Sequence, residues 1–163
     1  MPEILRPAVE ADLPRIAALA RWVWLDSYAE AGVSASFAGY LDQAFDLAAL
    51  RQSLQREPMW LIEDGESLQA WAELDGSAAP DKIELSRLYV APPRHGRGLG
   101  ARLLQHVREV HPRRALWLSA WEGNAGALRF YRREGAQLLG ETWFELDGQR
   151  HRNEVLGWPA LDE

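Results

Sequence analysis

Three glycines fall within five residues at Gly96-Arg97-Gly98-Leu99-Gly100, between a strand pattern and a helix pattern. The run before them, Ile83–Val90 (IELSRLYV), alternates as a half-buried strand does, and Pro92-Pro93 ends it. The run after them, Gly98–Val110, sets Leu99, Leu103, Leu104, Val107 and Val110 on one helical face. Glycine lets the backbone take a positive φ and approach a ligand closely. The first amides of the following helix have no intrahelical partner and sit at the positive end of its dipole. A strand, such a turn and a helix together make a cradle for phosphate or pyrophosphate; a plain glycine-rich connector is the simpler alternative.

Charge favours the cradle. Residues 91–114 carry six arginines (94, 97, 102, 108, 113 and 114) against Glu109, a net of +5 in a chain of −6, which leaves −11 for the remainder. A basic island in an acidic protein suits an anion locally. The acidic remainder opposes nucleic acid or an anionic membrane as a partner. A P-loop is excluded, because Gly100 is followed by Ala101-Arg102 and not by Lys-Ser/Thr. The string Gly96–Ala101 does satisfy G-x-G-x-x-G/A, with Glu122 at ribose distance. However, a dinucleotide fold opens with this unit and needs several more strand–helix repeats, whereas only 63 residues follow Gly100.

The remaining 163-residue pattern is that of one domain, 1–163, of mixed α/β class. Glu3–Arg6 is expected as a strand and Glu10–Ala31 as a helix, with Pro14 in its first turn. Ser34 and Asp46 are expected to cap helices through Leu41 and over Leu47–Arg56. Met59–Glu63 and Ser67–Leu74 form a hairpin, Asp75–Pro80 a loop, and Ala115–Ser119 a buried strand. Asn124–Glu134 is a helix stopped by Gly135. Gln137–Leu146 and Arg150–Gly157 close the chain as a hairpin about Asp147-Gly148. The absence of cysteine removes disulfides, thiolate nucleophiles and Cys-type metal sites. His106, His111 and His151 have no ligand spacing, so no metal is expected. With no signal peptide pattern and no long apolar run, the expectation is a cytoplasmic protein that does not enter membranes.

Val90-Ala91-Pro92-Pro93-Arg94-His95-Gly96-Arg97-Gly98-Leu99-Gly100-Ala101 closely resembles the acyl-coenzyme-A-binding motif of the GNAT N-acetyltransferases, V-x-P-x-x-[QR]-x-x-G-x-[GA]. His95 departs from it, standing where Gln or Arg is usual. Asn124–Gly135 resembles a second motif, N-x-x-A-x-x-F-Y-x-x-x-G-F, with Ala136 in place of the final Phe. Leu116–Tyr131, Tyr40–Phe45 and Glu84–Tyr89 further resemble the bacterial polyamine (spermidine/spermine) N-acetyltransferases of the Pai type.

The resemblance implies a single mixed, mostly antiparallel sheet of about seven strands with helices on both faces. It also implies acetyl transfer from acetyl-CoA to an amine. Leu88, Tyr89 and Val90 would run beside the pantetheine arm. Arg94, His95, Gly96, Arg97, Gly98, Leu99, Gly100 and Ala101 would hold the diphosphate, and Asn124 and Tyr131 would also touch the cofactor. Tyr131 matches the tyrosine that serves as acid toward the leaving thiolate.

Alkyl amines are protonated at neutral pH and need a base. Strand alternation puts Glu84, Ser86 and Leu88 on one face, which makes Glu84 the candidate, with Glu73 and Asp26 as fallbacks. Trp24, Tyr28 and Tyr40 fall where relatives build the acceptor site. Residues 1–90 hold 15 acids against 7 bases, which suits a cationic small amine such as a polyamine. Most of the eight tryptophans are expected in the core. A protein of this fold that binds acyl-CoA without catalysis is the alternative. A homodimer is left open.

Overall fold

The structure, a computed structural model, describes residues 2–146 and 148–162. Among the described residues a seven-stranded sheet runs in the order β1-β2-β3-β4-β5-β7-β6. Its strands are β1 (Glu3–Pro7), β2 (Trp60–Asp64), β3 (Ser67–Asp75), β4 (Lys82–Val90), β5 (Ala115–Trp121), β6 (Gln137–Leu146) and β7 (Gln149–Trp158). Each neighbouring pair is antiparallel except β4 and β5. This is the mixed sheet that the sequence resemblance implies. The Asp147 half of the last expected turn lies outside the described residues; Gly148 takes φ +72°.

Helices cover both faces. On one, α1 (Leu13–Tyr28), α2 (Ala35–Ala44) and α3 (Leu47–Arg56) pack with Leu61, Trp71 and Met59. On the other, α4 (Leu99–Val110) and α5 (Ala125–Arg133) pack with Ile62, Leu74, Ile83, Leu116 and Leu156. Side chains of successive strand residues go alternately to the two layers. Trp24, Trp71 and Trp158 are buried, while Trp22 and Trp143 stay 47% and 46% exposed, so the tryptophans divide between core and surface. No helix among the described residues is long and apolar enough to cross a membrane.

The expected helix over 10–31 is shorter. It opens with a 3-10 turn, Glu10–Asp12, and ends at Tyr28. Asp12 causes the offset. Its carboxylate takes the Val9 amide at 2.8 Å and the guanidinium groups of Arg6 and Arg15, each at 2.8 Å. Glu63 joins both arginines, and these contacts hold the Asp12 and Glu63 carboxyls below their ordinary range.

A carboxyl with a lowered folded-state pKa contributes stability above its unfolded pKa and loses it as pH falls through the folded one. Asp12→Asn is therefore expected to cost about 2–3 kcal/mol at pH 7. That is below the full cost of breaking a buried pair, because Arg6 and Arg15 keep 29% and 32% of their side-chain surface exposed. The deficit should shrink below about pH 4, where the carboxyl of the unfolded chain takes up its proton while the folded one is still ionised. Urea unfolding at pH 7 and pH 3 checks this; a deficit of equal size at both would show that charge is not its origin.

Candidate active site

β4 and β5 part company after three residues. Lys82, Ile83 and Glu84 pair with Ala115, Leu116 and Trp117, and the pairing stops there. From Leu85 to Val90, β4 keeps its β3 neighbour, and among the described residues no strand pairs with its other edge. The result is a split in the middle of the sheet, lined by backbone groups that can pair with an extended ligand. Both strands contribute their C-terminal ends to it, as parallel strands do where ligands bind in α/β sheets.

A β-bulge sits at this split. Glu73 pairs with Arg87 and Leu74 with Leu85, so Ser86 is an extra residue in β4. The bulge corrects the expectation that Glu84, Ser86 and Leu88 share a face. Ile83 and Leu85 face the α4–α5 layer, and beyond the bulge Leu88 and Val90 do the same. Glu84 goes with Arg87 and Tyr89 toward α1–α3. An inserted residue reverses the parity that alternation depends on.

At the top of the split, the chain makes a 3-10 turn over Pro92–Arg94 and then the glycine turn. Gly96 and Gly98 take φ +78° and +80°, the left-handed region that glycine enters without strain. No heavy atom lies within 4 Å of where a Cβ at either would stand, so the space before the turn is open. Gly98 caps α4 with no side-chain bond. Among the described residues no acceptor meets the amides of Gly98, Leu99, Gly100 and Ala101. Gly100 serves a different purpose: a Cβ there would come within 3.2 Å of the Phe130 ring, so its lack of a side chain lets α4 and α5 pack closely.

Arg97 is exposed beside the turn, and Arg94 lies 3.7 Å from Asp64. The imidazole of His95 donates from Nε2 to the Val90 carbonyl at 2.8 Å. The departure from the usual Gln or Arg thus ties the turn back to the end of β4.

Asn124 caps α5, its Oδ1 accepting the Ala127 amide at 3.2 Å, which leaves its side-chain amide donors free. Two turns on, Tyr131 is 8% exposed among Phe130 and Trp158. Burial, and then the nearby Tyr28 phenol, raise its pKa well above that of an ordinary phenol. Tyr131 therefore keeps its proton and can donate it in a hydrogen bond.

The opposite lip of the split is aromatic. Tyr40, Trp24, Tyr28 and Trp121 form a row of rings: Trp24 meets Tyr40 at 5.2 Å and Tyr28 at 4.7 Å, and Tyr28 stacks on Trp121 at 5.1 Å. Burial and Tyr40 push the Tyr28 phenol up to about 12. Arg87 lies 4.8 Å over the Phe45 ring and is paired with Glu73. Burial opposes the Arg87 charge, but Glu73 first, then Tyr89 and Tyr40, outweigh it. Burial, followed by the charge of Asp75, raises Glu84 above the ordinary carboxyl, while Arg87 works against both. All four tyrosines of the chain (28, 40, 89 and 131) are coupled through this region.

The structure thus brings together Tyr131, Tyr28, Tyr40, Trp24, Leu88, Tyr89, Val90 and the glycine turn. Asp26 is exposed on α1 and Glu73 is occupied by Arg87, so neither matches Glu84 as a free, half-buried carboxylate. Arg87 and Trp121 went unnoticed in the sequence; only the strand pairings show that they border the split. Among the described residues no three His, Asp or Glu side chains are grouped to hold a metal ion.

A known family matches this arrangement. The model of the acetyltransferase (GNAT) family matches residues 16–136. A full-length relative, "Probable N-acetyltransferase Rv2775" of Mycobacterium tuberculosis, is 30% identical over 159 residues, covering 88% of this chain and 86% of its own. The spermine/spermidine N(1)-acetyltransferase of Bacillus subtilis is 33% identical over 76 residues, 44% of this chain and 50% of its own. The PaiA N-acetyltransferase of Thermoplasma acidophilum, solved in complex with coenzyme A, superposes with a TM-score of 0.80 at 21% identity, covering 94% of this chain and 98% of its own. The chain belongs to the acetyltransferase (GNAT) family, and its class of activity is N-acetyl transfer.

Proposed function

We propose that this protein transfers the acetyl group of acetyl-CoA to the primary amine of a small molecule, with polyamines as the leading acceptors. The observation that carries the reading is the split between β4 and β5. It is closed where Glu84 pairs with Trp117; toward the C-terminal ends of the two strands it meets the free amides of the glycine turn, and Tyr131 and a row of aromatic rings border it. The residues fit a coenzyme A thioester: the Gly96–Ala101 turn for its diphosphate, the unpaired edge of Leu88–Val90 for its amide-bearing arm, and Asn124 and Tyr131 for the sulfur end. That substrate supplies an acetyl group already activated as a thioester.

The amine nitrogen must lose one proton before attack and another as the C–N bond forms; the C–S bond breaks and the sulfur leaves as a thiolate. Glu84 lies on the acceptor side, four residues before Leu88, at roughly 3.3 Å per residue. It therefore collects the proton through water. Its raised affinity for protons suits a base. The Tyr131 phenol binds its proton more tightly than a thiol, which ionises near ~8.5. Its contribution is therefore a hydrogen bond to the departing sulfur, with the proton retained.

The acceptor class is supported by the aromatic row, by the acid-rich first 90 residues and by the similarity to the Bacillus enzyme. Thiol release measured against spermidine, spermine, an aminoglycoside, amino acids and a short peptide tests it. Turnover highest with spermidine or spermine is expected. Coenzyme A binding with no turnover of any amine would instead favour the non-catalytic module.

Glu84→Gln is expected to lower kcat/KM by about 10²-fold. The wild-type rate should rise with pH through a step above the ordinary carboxylate range, because the base must be ionised. That step should vanish in the variant, and a pH–rate profile with the step intact would remove Glu84 from the role.

A further inference from the structure

Asn153 presents a buried side-chain oxygen, Oδ1, that meets no hydrogen-bond partner among the described residues. The residue is half-buried on β7, with Trp121 of β5 opposite it on one side and Thr142 of β6 on the other. Its neighbour Glu154 accepts from Arg132 of α5 at 2.8 Å, and Leu156 joins the α4–α5 core. Alternation therefore turns Asn153 to the other face, the face of His151 and Trp121, whose rings are 5.9 Å apart. Trp121 in turn stacks on Tyr28. Because β4 and β5 are parallel and Glu84 is level with Trp117, Trp121 and Asn153 stand close to the level of Leu88, at the open mouth of the split.

An amide oxygen taken out of water without a partner is destabilising, and such atoms call for an explanation in a ligand, a water or strain. Two other buried atoms share the condition, Trp60 Nε1 and His106 Nε2. Their rings, on β2 and α4, meet edge to face with centroids 4.2 Å apart, outside the aromatic lip of the split. Asn153 is thus the orphaned acceptor, among the described residues, that faces the site.

We infer that Asn153 positions the incoming amine, its Oδ1 accepting an N–H from the nucleophilic nitrogen. The inference rests on the acetyl-transfer reading above and deepens it by naming the residue that would select a primary amine. A neutral primary amine carries two N–H bonds. One is lost as the C–N bond forms, and the other survives in the amide product and can stay on Asn153 throughout. A neutral secondary amine has a single N–H, which it must lose. The site should therefore prefer primary over secondary amines of the same size, and Asn153 should carry that preference.

The probes are n-butylamine and N-methylbutylamine, assayed by thiol release with wild type, Asn153→Leu and Asn153→Asp. In Asn153→Leu, kcat/KM for n-butylamine should fall about tenfold or more and that for N-methylbutylamine should hardly change, with coenzyme A affinity retained. Asn153→Asp keeps an oxygen acceptor and should keep the preference. Equal loss with both amines, or no loss with either, overturns the assignment.

A second readout does not need turnover. The side-chain 15N–1H resonances of Asn153, assigned by their absence in Asn153→Leu, are followed in the coenzyme A complex as n-butylammonium is added. A saturable shift supports the contact, and its absence overturns it. If wild type turned over neither probe nor any amine of the wider panel, the acetyl-transfer reading itself would fall, and the resonance shift would still decide whether Asn153 meets an amine.

Discussion

Gly98→Val is expected to abolish coenzyme A binding, raising the dissociation constant at least 100-fold while the fold survives. Gly98 has φ +80°, and a Cβ built on it meets nothing within 4 Å. The new side chain would therefore not disturb the protein's own packing. It would stand in the open space that a diphosphate must enter to reach the amides of Leu99, Gly100 and Ala101. Holding a β-branched residue at that φ adds about 1–3 kcal/mol of strain, which a domain of ordinary stability, about 5–15 kcal/mol, can absorb. Gly32→Val supplies the control: Gly32 has φ +107° and equally open surroundings, but lies between α1 and α2. It should show comparable strain with normal affinity. Calorimetric titration with coenzyme A, alongside thermal melts, separates the two effects. Undiminished affinity in Gly98→Val would remove the phosphate cradle.

Tyr131→Phe should lower kcat by about 10²–10³-fold, the usual consequence of losing one preorganised donor at a site of developing charge. Coenzyme A affinity should stay within about tenfold, because the ring remains against Phe130 and Trp158. The lost hydroxyl is a donor held protonated by burial, so no part of the wild-type pH profile below pH 10 should belong to it. The variant's profile should be scaled down and unchanged in shape. An unchanged kcat would exclude the phenol from the departure of sulfur. A profile that lost a limb near neutrality would mean that Tyr131 titrates and is not the fixed donor described here.

These two positions were legible in the sequence because their chemistry is local. Gly96-Arg97-Gly98-Leu99-Gly100 needs only its own backbone and the start of α4 to make a cradle. Asn124 and Tyr131 fall at the cap and in the second turn of one short helix. The strand over 83–90, the helix over 98–110 and the closing hairpin follow from periodicity, which is also local. The first helix starts later than periodicity alone places it, because Asp12 is held by Arg6 of β1, which is itself paired with Glu63 of β2. Strand alternation makes Glu84 a candidate base but puts it on one face with Ser86 and Leu88, which the structure does not. The extra residue at Ser86 shows only in the pairing of β4 with β3.

By itself the sequence determined the two motifs, their order and the kind of ligand each can hold, because glycine freedom, helix-end amides and strand alternation act within a few bonds of the residues that carry them. Tertiary structure alone decided where β4 and β5 separate, which way the residues beyond the bulge face, that Arg87 is neutralised by Glu73, and that Trp121 and Asn153 reach the mouth of the split. Those are relations between segments far apart along the chain. They depend on the register between strands, and a one-residue change of register moves every later side chain to the opposite face.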